Sequence, residues 1–159
     1  MPFRIGYGYD VHQLALGEEF WLGGIQLEHS HGAVGHSDAD VLLHVICDAL
    51  LGALAMRDIG YHFPDTDAQY KGIDSKKLLQ HTYDLVTEAG WELGNLDSTI
   101  CLQEPKIAPH VEAMRTCISG LLGVELNQVS VKATTTEKLG FVGTMEGISA
   151  HAVVLLQRI

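Results

Sequence analysis

Apolar positions recur with two periods along the chain, and they divide it into strands and helices. The runs FRIGYGYDV over 3–11 and EFWLGGIQLE over 19–28 are β-like, the second interrupted by Gly23-Gly24 as a turn or bulge between two short strands. HSHGAVGHS reads as a loop. In DADVLLHVICDALLGALAM, Val41, Leu42, Val45, Ile46, Ala49 and Leu50 recur at helical spacing. Ser37 is the expected N-cap, with Asp38 and Asp40 in the first turn, where the helix dipole favours negative charge. RDIGYHFPDTDAQYKGID, with two Gly, one Pro and four Asp, is too polar and broken for a regular element and is expected to be a surface loop.

An amphipathic helix is expected from about Ser75 to Ala89, stopped by Gly90. NLDSTICLQ reads as a strand and EPKIAP as the loop leaving it. Pro109 suits the first turn of a third helix reaching about Leu122, before Gly123. VSVKA is a strand, TTTEKLG a short helical turn and GISAHAVVLLQ a closing strand. The alternation implies an α/β (α+β) chain forming a single domain over 1–159. Its expected architecture is a mixed four-stranded-type, ferredoxin-like sheet with helices packed mainly on one face.

Composition narrows the function. With 159 residues, 47% hydrophobic and 19% charged, the chain has the size and balance of one globular core. No apolar run approaches the ~20 residues of a membrane span, and MPFRIGYG enters strand-like sequence directly, so a cytoplasmic protein that does not meet a membrane is expected. A net charge of −10 with only ten Lys and Arg argues against nucleic acid as a partner. An anionic ligand would need positive charge from elsewhere, and nine histidines make bound metal a candidate source. Cys47, Cys101 and Cys117 lack any C-x-x-C spacing and are expected as buried free thiols.

Asp10 and His12, two apart on a strand, share one face. They are either a solvated pair or two ligands awaiting a third. His44, on an otherwise apolar helix face, is the candidate third, although a satisfied core histidine is the commoner arrangement. Two histidines and an aspartate suit a tetrahedral zinc with one open position. Asp40 and Asp48, at i−4 and i+4 from His44, could hold its ring from behind. Thr134 and Glu137 match a capping box, and the same geometry could offer N–H groups and hydroxyls to a phosphate with Glu137 on Mg²⁺. Asp58, Asp65 and Asp67 are turn formers or acceptors for polyol hydroxyls, and His36 with Ser37 is a cap or an anion site.

DVH, HSDADVLLH, DIGYHFPDTD, QEPKIAPH, VKATTTEKLGF and the closing EGI occur in this order across nearly the whole chain. Together they closely resemble the 2-C-methyl-D-erythritol 2,4-cyclodiphosphate synthase family. The resemblance implies a zinc-dependent phosphorus-oxygen lyase of the non-mevalonate isoprenoid route, with Mg²⁺ or Mn²⁺ as second cation. It implies a homotrimer with active sites between subunits. Asp10, His12 and His44 take the zinc-ligand positions, and Glu137 that of the second cation's ligand. His36, Thr135 and Glu137 fall on the catalytic positions, with His36 and Ser37 contacting phosphate. Asp58, Gly60, Phe63 and Asp65 fall around the methylerythritol. Pro105, Lys106, Ile107 and Ala108 fall on the cytidine pocket, and Ala133, Thr134, Thr135 and Phe141 on the remaining substrate contacts. Thr144 stands where the family often has an arginine associated with a trimer-axis cavity for isoprenoid diphosphates, and here the chain departs from that pattern. A zinc phosphoester hydrolase and a catalytically silent nucleotide-binding module remain the alternatives.

Overall fold

The computed structural model describes residues 1–159. Strand β1 (Phe3–Leu16) is followed by β2 (Phe20–Leu22), β3 (Ile25–Leu27) and β4 (His31–Ala33). The long helix α1 (Val41–Ala53), a single turn α2 (Ile59–His62) and α3 (Ser75–Glu88) come next. The second half contains β5 (Trp91–Cys101), α4 (Val111–Leu122), β6 (Val129–Thr134), a single turn α5 (Gly140–Gly143) and β7 (Gly147–Arg158). The main sheet has the order β4-β1-β7-β5-β6, and β2 with β3 forms a separate two-stranded hairpin. Only β5 and β6 pair in parallel, joined by α4 as the crossover such a pair needs.

Alternation is strict along β1. Gly6, Gly8, Asp10 and His12 face α1, while Phe3, Ile5, Tyr7, Tyr9 and Val11 lie exposed on the other side. In β7 the inner positions Ile148, Ala150, Ala152, Val154 and Leu156 join Leu96 and Ile100 of β5 in the core. Helix α1 is buried on nearly all sides, between the sheet and α3, and its less buried positions form a stripe at His44, Asp48 and Gly52. It reaches the sheet because β1 has no side chains there. A Cβ on Gly6 would stand 1.8 Å from the Ala49 carbonyl oxygen, and one on Gly8 2.0 Å from that of Val45.

Several expectations need correction. The sheet has five strands rather than four, because His31–Ala33, read as loop, pairs with the end of β1. The order of strands and helices also departs from the βαββαβ order of a ferredoxin-like fold, since the last two strands are consecutive and α4 links a parallel pair. Helix α1 is capped by Asp40, not Ser37. The Asp40 carboxylate accepts from Leu43 N, whereas Ser37 Oγ accepts from Ala39 N, and Ala39 at φ 57° breaks any helix begun earlier. The helix also ends at Ala53, short of Met56. Strand β5 begins four residues before the expected NLDSTICLQ and absorbs the extra length in a bulge between Leu93 and Asn95.

TTTEKLG forms no helical turn and no capping box. Thr134 ends β6, and Glu137 and Lys138 form a tight turn at φ 55° and 63°, closed by Leu139 N donating to Thr136 O at 3.0 Å. Of the three thiols, Cys47 is buried, but Cys101 and Cys117 are only partly so. No helix is long and apolar enough to cross a membrane.

Gly8→Ala should lower the unfolding free energy in a urea titration by about 3 kcal/mol, because α1 must move off the sheet. Gly120→Ala, at an exposed position of α4 where a Cβ meets nothing, should raise it by about 0.5–1 kcal/mol.

Candidate active site

The inner face of β1 and the first turn of α1 bring three ligand-type side chains together. One donor atom each from Asp10, His12 and His44 lies within 4.8 Å of the others. His12 Nε2 is 3.0 Å and His44 Nδ1 3.5 Å from Asp10 Oδ2. The two imidazoles meet edge to face at 5.1 Å between centroids. Both are largely buried, with side-chain exposures of 14% and 12%. Burial pushes the Asp10 carboxyl up, but hydrogen bonds from His12 and His44 outweigh it and hold the group well below the usual carboxylate range. Burial likewise lowers His12, and its bond to Asp10 more than restores it, leaving the imidazole raised.

Each imidazole is fixed from its far side. His12 Nδ1 donates to the Ala39 carbonyl at 2.7 Å, and His44 Nε2 lies 3.0 Å from Ser75 Oγ. With the far nitrogens so engaged, His12 Nε2, His44 Nδ1 and Asp10 Oδ2 are turned only toward one another, and two nitrogens with one oxygen suit a divalent ion such as zinc. The carboxylates expected behind His44 are committed elsewhere. Asp40 accepts from Gly23 N and Gly24 N as well as Leu43 N, and Asp48 accepts from Ile59 N.

Beside the triad opens a cavity of about 800 Å³. His12, His36, Ser37, His44, Gly60, Phe63 and Asp65 all line it, with Ile59, Tyr70, Ile73 and Leu78 as its apolar wall. That volume suits a small organic ligand. His36 and Asp65 stand opposed at the exposed rim, 3.8 Å apart. Asp58 does not line the cavity; it caps α2 by accepting from Tyr61 N at 2.9 Å.

The remaining candidates form a second cluster. Parallel pairing of Cys101 with Thr134 sets the loop over Pro105, Lys106, Ile107 and Ala108 beside Ala133, Thr134, Thr135 and Glu137, at the carboxyl ends of neighbouring strands. Gln103 Oε1 ties the two loops by accepting from Lys138 N. Gly143 lets the turn close, since a Cβ there would stand 2.1 Å from the Lys138 carbonyl carbon. Glu137 is exposed and free of ion pairs, and Ile107 is buried, so only its backbone is available. Phe141, on α5, packs over Gly147. None of these residues lines the cavity. Along the row Asp10, Ala150, Ile100 and Ala133, three strand spacings of roughly 4.8 Å place the two clusters about 14 Å apart.

Residues missed in the sequence are Gly6, Gly8, Asp38 and Ser75. The glycines had a visible signal: two at alternate positions of a strand leading into Asp-x-His mark a close backbone approach. Ser75 had none, because its partner lies 31 positions away.

A carboxylate and two imidazoles beside a cavity, on a sheet covered by helices, define the class of enzymes that can hold a divalent ion over a small substrate. The chain belongs to the YgbB family, which it matches over residues 3–157. It is 58% identical over 158 residues to the 2-C-methyl-D-erythritol 2,4-cyclodiphosphate synthase of Bacteroides thetaiotaomicron, covering 99% of each chain. It is 61% identical over 155 residues to that of Porphyromonas gingivalis, covering 98% of this chain and 96% of the relative. Among solved structures, the CDP-bound form of a 2C-methyl-D-erythritol-2,4-cyclodiphosphate synthase superposes with a TM-score of 0.91 at 36% identity, over 97% of this chain and 100% of the other.

Metal-free protein should show the Asp10–His12 pair in its pH dependence. The lowered Asp10 contributes stability that is present above about pH 4 and lost on acidification. The raised His12 contributes stability that is full below about pH 6.5 and lost as pH rises through its folded value. In EDTA, thermal melts should show this contribution largest between those limits and absent in His12→Ala. Added zinc should reverse the alkaline trend, because a proton and a metal compete for the same nitrogen.

Proposed function

We propose that the chain, acting as one synthase domain over 1–159, converts 4-diphosphocytidyl-2-C-methyl-D-erythritol 2-phosphate to 2-C-methyl-D-erythritol 2,4-cyclodiphosphate with release of CMP. This is a step of non-mevalonate isoprenoid synthesis. The observation that carries the reading is the Asp10, His12 and His44 triad beside a cavity, in a chain so similar to named synthases. Three unpaired cysteines agree with a reducing, cytoplasmic setting.

In the reaction a 2-phosphate oxygen bonds to the β-phosphorus, the bond from that phosphorus to the α–β bridging oxygen breaks, and its electron pair leaves with CMP. Two anionic groups must meet, and no protein nucleophile is needed. Asp10, His12 and His44 would hold zinc, and Glu137 would hold Mg²⁺ or Mn²⁺ together with substrate phosphates. Bound there, the two cations supply the positive charge that offsets phosphate repulsion and leaving-group charge.

The protein's own groups bring the ends of the substrate together. His36 and Ser37 bind phosphate, while Phe63, Gly60 and the Asp58–Asp65 segment hold the methylerythritol chain in a folded pose. Pro105 to Ala108 receive the cytosine, and Ala133, Thr134 and Thr135 orient the diphosphate, with the Thr135 hydroxyl donating toward the departing oxygen. Phe141 borders this side. The tight turn at Glu137 and Lys138, two non-glycine residues at positive φ, is the kind of strain that persists where a side chain must be aimed.

The two clusters lie apart within one subunit, and the outer face of β1 is unpartnered. Ile5 is 72%, Tyr7 58% and Tyr9 49% exposed beside Val153 at 45%. A homotrimer burying that face, with one subunit's nucleotide loops meeting its neighbour's cavity, accounts for both. At this face Tyr7 Oη and His151 Nδ1 are 2.9 Å apart. Thr144, in the place of the family's arginine, donates to Glu146 at 2.6 Å and adds no positive charge for an axial anion.

Chromatography of the product should show the cyclic diphosphate and CMP. Inorganic phosphate or a linear product would favour a zinc hydrolase, and CMP binding without turnover a silent module. His44→Ala should lose zinc and at least about 100-fold in activity with the fold intact. Glu137→Gln should retain zinc and lose its response to Mg²⁺ and Mn²⁺. In sedimentation the wild type should run as a trimer, and Ile5→Asp as a smaller species with little activity; a fully active monomeric wild type would defeat the shared site.

A further inference from the structure

Behind His44 stands a chain of groups that the reaction just described does not use. His44 Nε2 is 3.0 Å from Ser75 Oγ, which donates to Asp38 Oδ1 at 2.5 Å, while the Ser75 N–H donates to Asp38 Oδ2 at 3.0 Å. The three residues come from separate elements: the loop before α1, α1 itself and the first residue of α3. Ser75 is fully buried, so water does not compete for its hydroxyl.

A serine hydroxyl has one hydrogen to give. An ionised Asp38 can only accept, so it takes that hydrogen, and Ser75 Oγ must then accept from His44. With a metal in place of the hydrogen bond that Asp10 accepts from His44, the one hydrogen of the neutral imidazole therefore sits on Nε2, leaving Nδ1 as the ligating atom on the side of Asp10 and His12. The other neighbour of Nε2, Ser37 Oγ, is farther at 3.5 Å and already accepts from Ala39 N. Helix α3 does not need the hydroxyl to start, because Asp74 is its own N-cap, accepting from Lys76 N.

We propose that Ser75 and Asp38 are positioning residues for the metal centre, acting as a two-step relay that fixes His44 in the ligating tautomer and ring orientation. The inference rests on the metal-binding reading of Asp10, His12 and His44, and it extends that reading to residues that touch neither metal nor substrate. The carboxylate acts through a hydroxyl rather than directly, so its negative charge supports the ring while remaining outside the ligand set.

The test is zinc affinity, measured by competition with a chromophoric chelator, for wild type, Ser75→Ala, Asp38→Asn and the double variant. Each is accompanied by a melting curve of the metal-free protein. Ser75→Ala keeps the backbone N–H bond to Asp38 and removes only the hydroxyl. Asp38→Asn keeps an acceptor for that N–H and removes the charge. Each single change should weaken zinc binding about 10- to 100-fold. The double change should be no more than about threefold weaker than the worse single, because the two residues form one path. Metal-free melting temperatures should stay within a few degrees of wild type.

Zinc affinities within twofold of wild type in both singles, or losses that multiply in the double, would overturn the relay. So would affinity losses matched by an equal collapse of the metal-free fold. If Ser75→Ala fails to fold, Asp38→Asn decides alone by the same affinity criterion. A wild type that takes up no zinc would overturn the metal reading itself, which is a distinct result from a zinc-binding wild type matched by its variants.

Discussion

The close approach of α1 to β1 is the contact on which the rest of the molecule depends. Where most strands hold a helix at a distance set by two layers of side chains, Gly6 and Gly8 let the carbonyls of Ala49 and Val45 lie where Cβ atoms would stand. The gain is positional. His44, next to Val45, is carried down to Asp10 and His12, which follow the glycines on the same face of the strand. A buried apolar helix and a three-ligand constellation are thus one packing solution seen at two heights along the same interface.

Around that interface the polar groups are unusually committed. Asp40 caps α1 while holding the amides of Gly23 and Gly24, Asp48 holds the start of α2, and Asp38 holds the start of α3. Each carboxylate ties a neighbouring segment of the chain to α1 or to the loop before it. Several negative charges of an acidic chain are in this way taken up by backbone N–H groups.

Much of this was legible in the sequence, and for identifiable reasons. Helical spacing of Val41 through Leu50 and the alternation of β1 and β7 are local signals, and they placed the layers correctly. The triad was readable as a possibility from Asp10 and His12 sharing a strand face, with His44 the odd residue on an apolar helix. Errors arose where local chemistry allows two outcomes that distant residues decide. Ser37 and Asp40 are equally good caps on paper; burial against Gly23 and Gly24 selects Asp40. Thr134 and Glu137 match a cap by spacing, but pairing of β6 with β5 keeps Thr134 in a strand and forces the next residues into a tight turn. Helix geometry alone offers Asp40 and Asp48 as ring partners, whereas the partner in the structure, Ser75, comes from α3.

The strict alternation of β1 has a further consequence. Its even positions are answerable to ligand chemistry and helix contact, its odd positions to whatever covers an apolar sheet face, and eleven paired positions from Phe3 to Gln13 lock it to β7. A slip by a single residue would trade Asp10 and His12 for Tyr9 and Val11, dispersing the triad with His44 and charging the outer face together. The strand is thus read in two alphabets at once, and insertions or deletions within it should be far rarer among functioning variants than substitutions confined to either set.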